Sequence, residues 1–144
     1  MFHKSTDERL SAWSEFRKEL DTLDDPLTAL AKFWNNAPMV IHNHKIDPYN
    51  PKSWPTPWEL IVENKYDDFT LALMMAYTLK LTKTHNDDKI EVRTMVDSAK
   101  TKLYNLVYVN DIDVLNYKPE VTIKAQFIDD DLYLENIINI VYPR

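Results

Sequence analysis

The residues best suited to chemistry begin with two histidines in the first half of the chain. His42 and His44 flank Asn43, and on an extended strand this spacing places both imidazoles on one face. Together with Asp47 or His85 they would supply a zinc site, because catalytic zinc uses three protein ligands and one open position. An exposed polar face explains the pattern equally well, so a metal site and solvated side chains both remain open.

Two adjacent carboxylates, Asp67 and Asp68, form the second candidate. Successive helical residues point about 100° apart, so an acid–base pair would need a partner such as Glu59 or His44. In the alternative interpretation, both residues complement the positive N-terminal pole of a helix. We favour this structural role.

Composition excludes several classes of protein. The 144 residues include no glycine and no cysteine, although average glycine usage of ~7% would give about ten glycines. This rules out the usual phosphate loop, dinucleotide fingerprint and EF-hand loop, as well as disulfides, thiol nucleophiles and zinc fingers. Any activity must then rest on side chains, and we predict no cofactor.

The charge balance argues against nucleic acid. Lys and Arg number 17 against 23 Asp and Glu, giving a net charge of −6. The densest basic stretch, residues 80–89, also contains Asp87 and Asp88, whereas nucleic-acid binding needs clustered cations. The first residues contain no apolar run of signal-peptide length, and no segment approaches the ~18 uncharged apolar residues of a membrane span. We therefore expect no membrane, and a location in the cytoplasm of the producing cell or in a virion assembled there.

Helix start signals occur early in the chain. Ser5 and Glu8 have the spacing of a capping box, and a helix with one apolar stripe should follow. Its stripe consists of Leu10, Trp13, Phe16, Leu20 and Leu23. A second helix should run from Pro26 to Asn35, because proline is favoured at the first helical position.

Two further helices are predicted after residue 55. Thr56 and Glu59 form a second capping box, which predicts a helix over residues 57–63 that ends at Asn64 in the left-handed conformation. The next helix is apolar almost all the way round from Phe69 to Leu79. A helix of that kind has no solvent face and must be central.

The segment of residues 37–58 is a predicted connector rich in proline and tryptophan. Five of the chain's eight prolines lie there, and each restricts its own backbone and that of the residue before it. Pro48 and Pro51 have the spacing of a proline-rich ligand. However, Tyr49, Trp54 and Trp58 interleave with the prolines, which favours a loop pinned to the body of the protein.

From residue 89 onward the apolar period becomes two, as in half-buried antiparallel strands. The alternation covers residues 90–96, 103–109, 112–116 and 121–127, and an apolar run over residues 137–142 follows. The acidic turn of residues 129–131 could bind calcium, but a solvated turn is the favoured interpretation because the spaced ligands of a calcium loop are missing.

The predicted architecture is a single α+β domain over residues 1–144. Its N-terminal helices (residues 1–36) and the connector lead to a helical core (residues 59–83) with a buried central helix. That helix packs on a C-terminal antiparallel sheet of four or five strands (residues 89–144).

Two stretches of this architecture carry a family resemblance. WPTPWELIVENKYDDFTLALMMAYTL (residues 54–79) and LYNLVYVNDIDVLNY (residues 103–117) resemble the core of the transglutaminase-like, papain-related fold. The resemblance implies a nucleophilic cysteine at the start of the central helix, where the helix dipole lowers its pKa. It also implies a histidine from a following strand and a carboxylate from the next.

None of these three catalytic positions is filled as the resemblance implies. The helix start offers Asp67 or Asp68, the strand offers Tyr104 or Asn105, and Asn116 stands where the carboxylate is expected. Cysteine-type chemistry would then be lost, and the scaffold would serve another purpose. The small, glycine-poor, Asn- and Lys-rich chain is also similar to conserved proteins of tailed bacteriophages.

Two functions follow from these observations. The first is a non-enzymatic interaction or assembly protein that binds a protein partner or its own copies. Its contact surfaces would be the N-terminal helix and a binding surface made of Tyr49, Trp54, Trp58, Asp67 and Asp68. The second is a small-molecule hydrolase or metal-dependent enzyme that uses His42, His44 and a helix-start aspartate. We favour the first.

Overall fold

The sheet and its helices follow one another along the chain. The computed structural model describes residues 1–43 and 46–143, in which four α-helices precede a five-stranded antiparallel sheet with the strand order β4-β3-β2-β1-β5. The elements are α1 (Thr6–Leu20), α2 (Pro26–Trp34), α3 (Pro57–Glu63), α4 (Asp68–Lys80), β1 (Ile90–Asp97), β2 (Leu103–Val109), β3 (Asp113–Leu115), β4 (Ile123–Lys124) and β5 (Leu132–Asn139). This arrangement confirms the predicted α+β class.

The two capping boxes have different outcomes. At α3 the Thr56 side chain accepts from the Glu59 amide at 3.2 Å, and the Glu59 carboxylate accepts from the Thr56 amide at 3.1 Å. At α1 the predicted box is wrong: the Ser5 hydroxyl donates to the Glu8 carboxylate at 2.7 Å and caps no backbone group. An ionised carboxylate is the stronger acceptor for this exposed hydroxyl, and the helix nevertheless begins at the predicted place.

The central helix α4 forms the middle of the core. Ten of its thirteen residues are buried, and it packs against β1 and β2. Its threonine Thr78 accepts a hydrogen bond of 3.0 Å from the buried indole of Trp13 in α1, so a polar atom on this apolar helix is satisfied by a partner helix. The prediction of a central helix is confirmed.

A second, smaller apolar cluster lies on the face of the sheet opposite α4. Leu106, Tyr108 and Val114 are buried there under the segment that contains Ala125 and Ile128. The chain crosses this cluster as a 3-10 turn over residues 125–127. The predicted strand over residues 121–127 is therefore wrong in extent, because only residues 123–124 pair with β3 before the chain turns to cover the cluster.

Outside the sheet, an isolated bridge joins Met39 to Tyr66. The last strand differs from the predicted apolar run over residues 137–142, because β5 begins at Leu132 and ends at Asn139. In the connector, residues 51–53 form a 3-10 turn and α3 begins at Pro57.

Tight turns form without glycine. Six of the described residues have positive φ: Asn64, Lys100, Asn110, Asp111, Asn116 and Glu120. Asn64 ends α3 in the left-handed conformation as predicted. Asn110 and Asp111 are the central residues of the turn between β2 and β3, where the Ile112 amide donates to the Val109 carbonyl at 3.1 Å. Both central φ angles are positive, as a type I′ turn requires.

Within the described ranges, no helix combines the length and the apolar character needed to cross a bilayer.

Candidate functional site

A hydrogen-bonded cluster joins the start of α4 to two strands of the sheet. The Asp68 carboxylate accepts from the side-chain amide of Asn105 on β2 at 3.0 Å, and from that of Asn116, just after β3, at 3.2 Å. The Asn116 amide also donates to the Asn105 carbonyl at 2.8 Å. We call Asp68, Asn105 and Asn116 the polar cluster. Each is one of the residues that the resemblance offers at a catalytic position: Asp68 as the alternative to Asp67, Asn105 as the alternative to Tyr104, and Asn116.

The orientation of Asn105 within the polar cluster is fixed by β1. Asn105 is buried, and its side-chain oxygen accepts from the Thr94 hydroxyl at 2.9 Å. Its nitrogen must therefore face Asp68 as a donor. Side-chain amides neither take up nor release protons near neutral pH, so the cluster holds a carboxylate in place and contains no proton relay.

An open cleft of about 340 Å³ lies beside the polar cluster. Asp68 and Asn116 line it together with Tyr104 and Tyr117, whose rings are 5.4 Å apart. Lys102 lies over the Tyr104 ring at 4.8 Å from its centroid, and interaction with Tyr104 raises the pKa of this lysine. The cleft thus offers charges of both signs and aromatic rings, which suits binding.

Asp67 has a different role from its neighbour. Its carboxylate accepts from the Thr70 amide at 2.8 Å and the Thr70 hydroxyl at 2.6 Å, and also from the Asn43 amide at 3.0 Å. It is 8% exposed and caps α4. The geometry therefore supports the structural interpretation of Asp67.

The aromatic residues of the connector are held to differing degrees. The Trp54 indole donates to the Asp47 carbonyl at 2.6 Å, and its ring meets Phe69 of α4 edge-on at 5.6 Å. Tyr49 is 68% exposed. The half-buried Trp54 thus pins the connector to the core, while Tyr49 faces solvent.

Trp58 lies elsewhere, on α3, where its side chain meets α1. Its ring meets that of the buried Trp13 edge-on at 6.2 Å. It lines a groove of about 510 Å³ whose lining residues are Leu10, Pro55, Trp58, Glu59, Val62 and Glu63. We call this the Trp58 groove. Neither Tyr49 nor Trp54 lines the groove or the cleft.

Comparison with solved structures finds a match over nearly the whole chain. The calcium-bound LapG of Legionella pneumophila aligns with a TM-score of 0.73 and 18% sequence identity, over 95% of this chain and 77% of LapG. This chain has a transglutaminase-like fold. The fold that the sequence resemblance implied is thereby confirmed. No protein-family model and no curated protein sequence matches the chain.

The histidines predicted as metal ligands are described only in part. His42 Nδ1 lies 3.8 Å from the Asp67 carboxylate, and its side chain is 58% exposed. His44 lies outside the described residues. Across residues 1–43 and 46–143, no three histidine or acidic side chains are grouped closely enough to hold a metal ion. A metal site at His42 and His44 stays a prediction.

His85 is placed away from His42. Its Nδ1 lies 2.6 Å from the Asp88 carboxylate, and it lines a different groove, near Asp25 and Asp113. The structure therefore does not bring His85 to the start of α4.

Several residues that line the cleft or the Trp58 groove were not predicted as site residues. Lys102, Tyr117 and Lys118 line the cleft, and Leu10 and Val62 line the Trp58 groove. One signal for the groove was available, because Val62 is an apolar residue on the exposed side of a short amphipathic helix. The cleft walls had no such signal, since only the strand pairing brings residues 102–104 beside residues 116–118.

Proposed function

We propose that this protein is a non-enzymatic interaction or assembly protein built on a transglutaminase-like scaffold. The observation that carries the proposal is the polar cluster. Where the resemblance implies a thiol, an imidazole and a carboxylate, the polar cluster would offer a carboxylate held between two amides, and it contains no imidazole to activate a nucleophile.

The exposed groups near the connector support binding. Tyr49 presents an aromatic side chain to solvent, and tyrosine and tryptophan are enriched where protein interfaces gain most of their energy. The cleft beside Asp68 and the Trp58 groove are two concave surfaces on the same scaffold. The partner is a protein, or a second copy of the chain.

Retention of partners from the native source tests this proposal, with product detection in the same sample. Wild type, Tyr49→Ala and Asp68→Asn are each immobilised through one terminal tag and exposed to lysate. Quantitative mass spectrometry then measures both retained proteins and newly formed peptide ends or cross-links. We expect one protein to be retained at near-equimolar level by wild type, and no new products.

The opposite result is equally specific. New products that form with wild type and disappear with Asp68→Asn would establish an enzyme and overturn the proposal. Light scattering after size exclusion measures self-association, and a strictly monomeric protein with no retained partner would also contradict it. The predicted phage origin and virion location are tested by the genomic neighbourhood, where capsid or tail genes should be adjacent.

A further inference from the structure

We propose that the outer edge of β5 pairs with the same edge of a second copy of the chain, so that two five-stranded sheets join across a twofold axis. This inference rests on the proposed function and identifies the surface through which the protein self-associates. β5 lines neither the cleft beside Asp68 nor the Trp58 groove, so the inference is independent of what those two surfaces bind.

The two edges of the sheet are built differently. At one end, β4 has only two residues, one of which is Lys124, and the chain turns away directly after it. Short edge strands and lysine side chains prevent pairing with another chain. At the other end, β5 has eight residues and contains neither lysine nor proline. The sheet is thus protected at the β4 edge and open to pairing at the β5 edge.

The backbone groups available for pairing belong to Ile137 and Asn139. The Ile140 amide donates to the Ile90 carbonyl at 2.9 Å, and residues of an antiparallel strand alternate between bonding inward and outward. The N–H and C=O groups of Ile137 and Asn139 therefore point away from β1. In the part of the chain that the structure describes, no further strand lies beside β5. The partner that satisfies such a row of donors and acceptors is an extended backbone.

The one charged residue of β5 does not block this segment. Consecutive residues of β1 oppose Leu134 and Asn136, so Glu135 is the extra residue of a bulge. A bulge and a charge both hinder pairing at an edge, but here they coincide at one position. The segment that follows, residues 136–140, is uncharged and has the sequence Asn-Ile-Ile-Asn-Ile.

A twofold axis at Ile138 makes this edge complementary to itself. Ile137 then opposes the partner's Asn139, and Asn139 opposes the partner's Ile137, and each of these pairs exchanges two backbone hydrogen bonds. The two Glu135 residues lie at opposite ends of the paired segment, roughly 16 Å apart at about 3.3 Å per residue. That separation exceeds the Debye length of about 8 Å at physiological ionic strength, so their repulsion is weak.

Exposed apolar side chains also meet in this register, on both faces of the joined sheet. Beyond the bulge, Leu134 comes opposite the partner's Val141, and these residues are 52% and 66% exposed. Tyr133 comes opposite the partner's Tyr142, and these are 63% and 57% exposed. A stable interface needs about 500 Å² per partner, and two tyrosines of this exposure supply roughly 200 Å² of it. A second copy therefore covers the apolar groups that β5 and the residues after it present to solvent.

Light scattering after size exclusion of the full-length protein measures the assembly. We expect twice the monomer mass of 17.1 kDa at about 100 µM protein. Dilution should return the monomer, because dimerisation follows mass action.

Matched double variants at the exposed positions 134 and 141 test the register. Leu134→Asp with Val141→Asp sets carboxylates opposite each other, and like charges directly opposite destabilise strand pairing. Leu134→Lys with Val141→Asp sets opposite charges together. We expect the first variant to dimerise at least about tenfold more weakly than the second. Lysine at both positions should weaken dimerisation as well, although it lowers the net negative charge, and this control separates the register from a general charge effect.

A single introduced thiol tests the position of the axis, since the chain has no cysteine. In a non-hydrogen-bonded antiparallel pair the two Cα atoms are about 4.5 Å apart, which suits a disulfide. With oxidised glutathione as the electron acceptor, Ile138→Cys should cross-link to a dimer at least about tenfold faster than Ile112→Cys, because the dimer holds its two thiols together. Ile112 is a stringent control, since it is 57% exposed at the turn between β2 and β3, whereas Ile138 is half-buried.

Three results would overturn the inference: a monomer at every concentration up to about 1 mM, equal dimerisation of the three double variants, or equal cross-linking of the two cysteine variants. They are distinguishable from failure of the proposed function. If a monomeric wild type still retains a protein from lysate, the second copy is not the occupant of the β5 edge while the interaction function stands. If the protein dimerises but forms new products that disappear with Asp68→Asn, the proposed function fails while the dimer stands.

Discussion

Asp67 and Asp68 are chemically identical neighbours with different environments. Asp67 is 8% exposed and accepts three hydrogen bonds from the Thr70 and Asn43 region, all of which hold backbone or local structure in place. Asp68 is exposed and accepts from two side-chain amides of the sheet. Two neighbouring residues at a helix start thus have separate roles, since Asp67 is a buried helix cap and Asp68 is the exposed member of the polar cluster.

The difference shows which carboxylate is available to a ligand. A side chain that caps a helix must point back toward the first turn, so its oxygens are already committed to local groups. The residue after it points about 100° away, which directs Asp68 toward the cleft. A function that uses a carboxylate at this helix end therefore uses Asp68, while Asp67 maintains the framework around it.

Asp67→Ala should have the largest effect on stability. It removes the helix cap, worth about 0.5–2 kcal/mol. It also removes the acceptor of the buried backbone N–H of Asn43, which costs about 1–3 kcal/mol. We expect the free energy of unfolding to fall by about 3 kcal/mol, measured by urea denaturation. Asp67→Asn, which keeps one acceptor oxygen, should lose less. Equal stability of wild type and Asp67→Ala would show that the cap is not structural.

The fold was largely predictable because its signals are local. The start of α3 is fixed by local hydrogen bonds between Thr56 and Glu59, and the helix ends at Asn64 in the left-handed conformation. The helix therefore has the bounds that the sequence predicted. Because α4 is apolar on all sides, its sequence also predicts that a sheet covers it. The prediction of a strand over residues 121–127 was wrong in extent because the chain turns after residue 124, so that Ala125 and Ile128 pack on the second apolar cluster.

The site was predictable only in part. The resemblance placed an aspartate, a strand residue and Asn116 at one site, and the structure brings Asp68, Asn105 and Asn116 into contact. The sequence alone does not show which of the two aspartates contacts the strands, since Asp67 and Asp68 both fit a helix start. The strand register, which no local pattern encodes, places the amides of Asn105 and Asn116 beside Asp68.

Asn116 tests whether the polar cluster depends on a side chain or on a backbone conformation. Its φ of 69° suits asparagine and glycine, whereas alanine pays about 1–2 kcal/mol there. Asn116→Ala should therefore lower the free energy of unfolding by about 2 kcal/mol, and Asn116→Gly by about 1 kcal/mol, since both lose the amide but only alanine is strained. Chemical denaturation of the two variants measures the difference. If alanine and glycine variants were equally stable, the backbone conformation would carry no cost.

The stability of the protein at alkaline pH tests the burial of Tyr66, which lies two residues before α4. Burial raises the pKa of Tyr66 above its ordinary value of 10.0. The neutral phenol is favoured in the folded state, so its contribution to stability is complete below pH 10 and is lost as the pH rises above the unfolded pKa. The loss is about 1.4 kcal/mol per pH unit above about 10.

The comparison of wild type with Tyr66→Phe isolates this contribution. Burial also raises the pKa of Tyr77 and Tyr108, so the wild-type protein loses stability through several tyrosines. Tyr66→Phe removes one of them, and its free energy of unfolding should fall less steeply between pH 10 and 11 (roughly the titration range of a free phenol). Parallel curves for the two proteins would contradict the assignment.

Asp68→Ala should have the smallest effect, and that contrast is the sharpest test of the two roles. Asn105 is buried, but its partner Asp68 is exposed and lines the open cleft, so truncation of Asp68 lets water from the cleft reach the amides of Asn105 and Asn116. The free energy of unfolding should fall by at most about 1 kcal/mol, well below the loss for Asp67→Ala under the same urea titration. A loss equal to that of Asp67→Ala would make both aspartates structural. A small loss would separate the two roles, because the carboxylate of Asp68 would then contribute little to the stability of the fold that Asp67 caps.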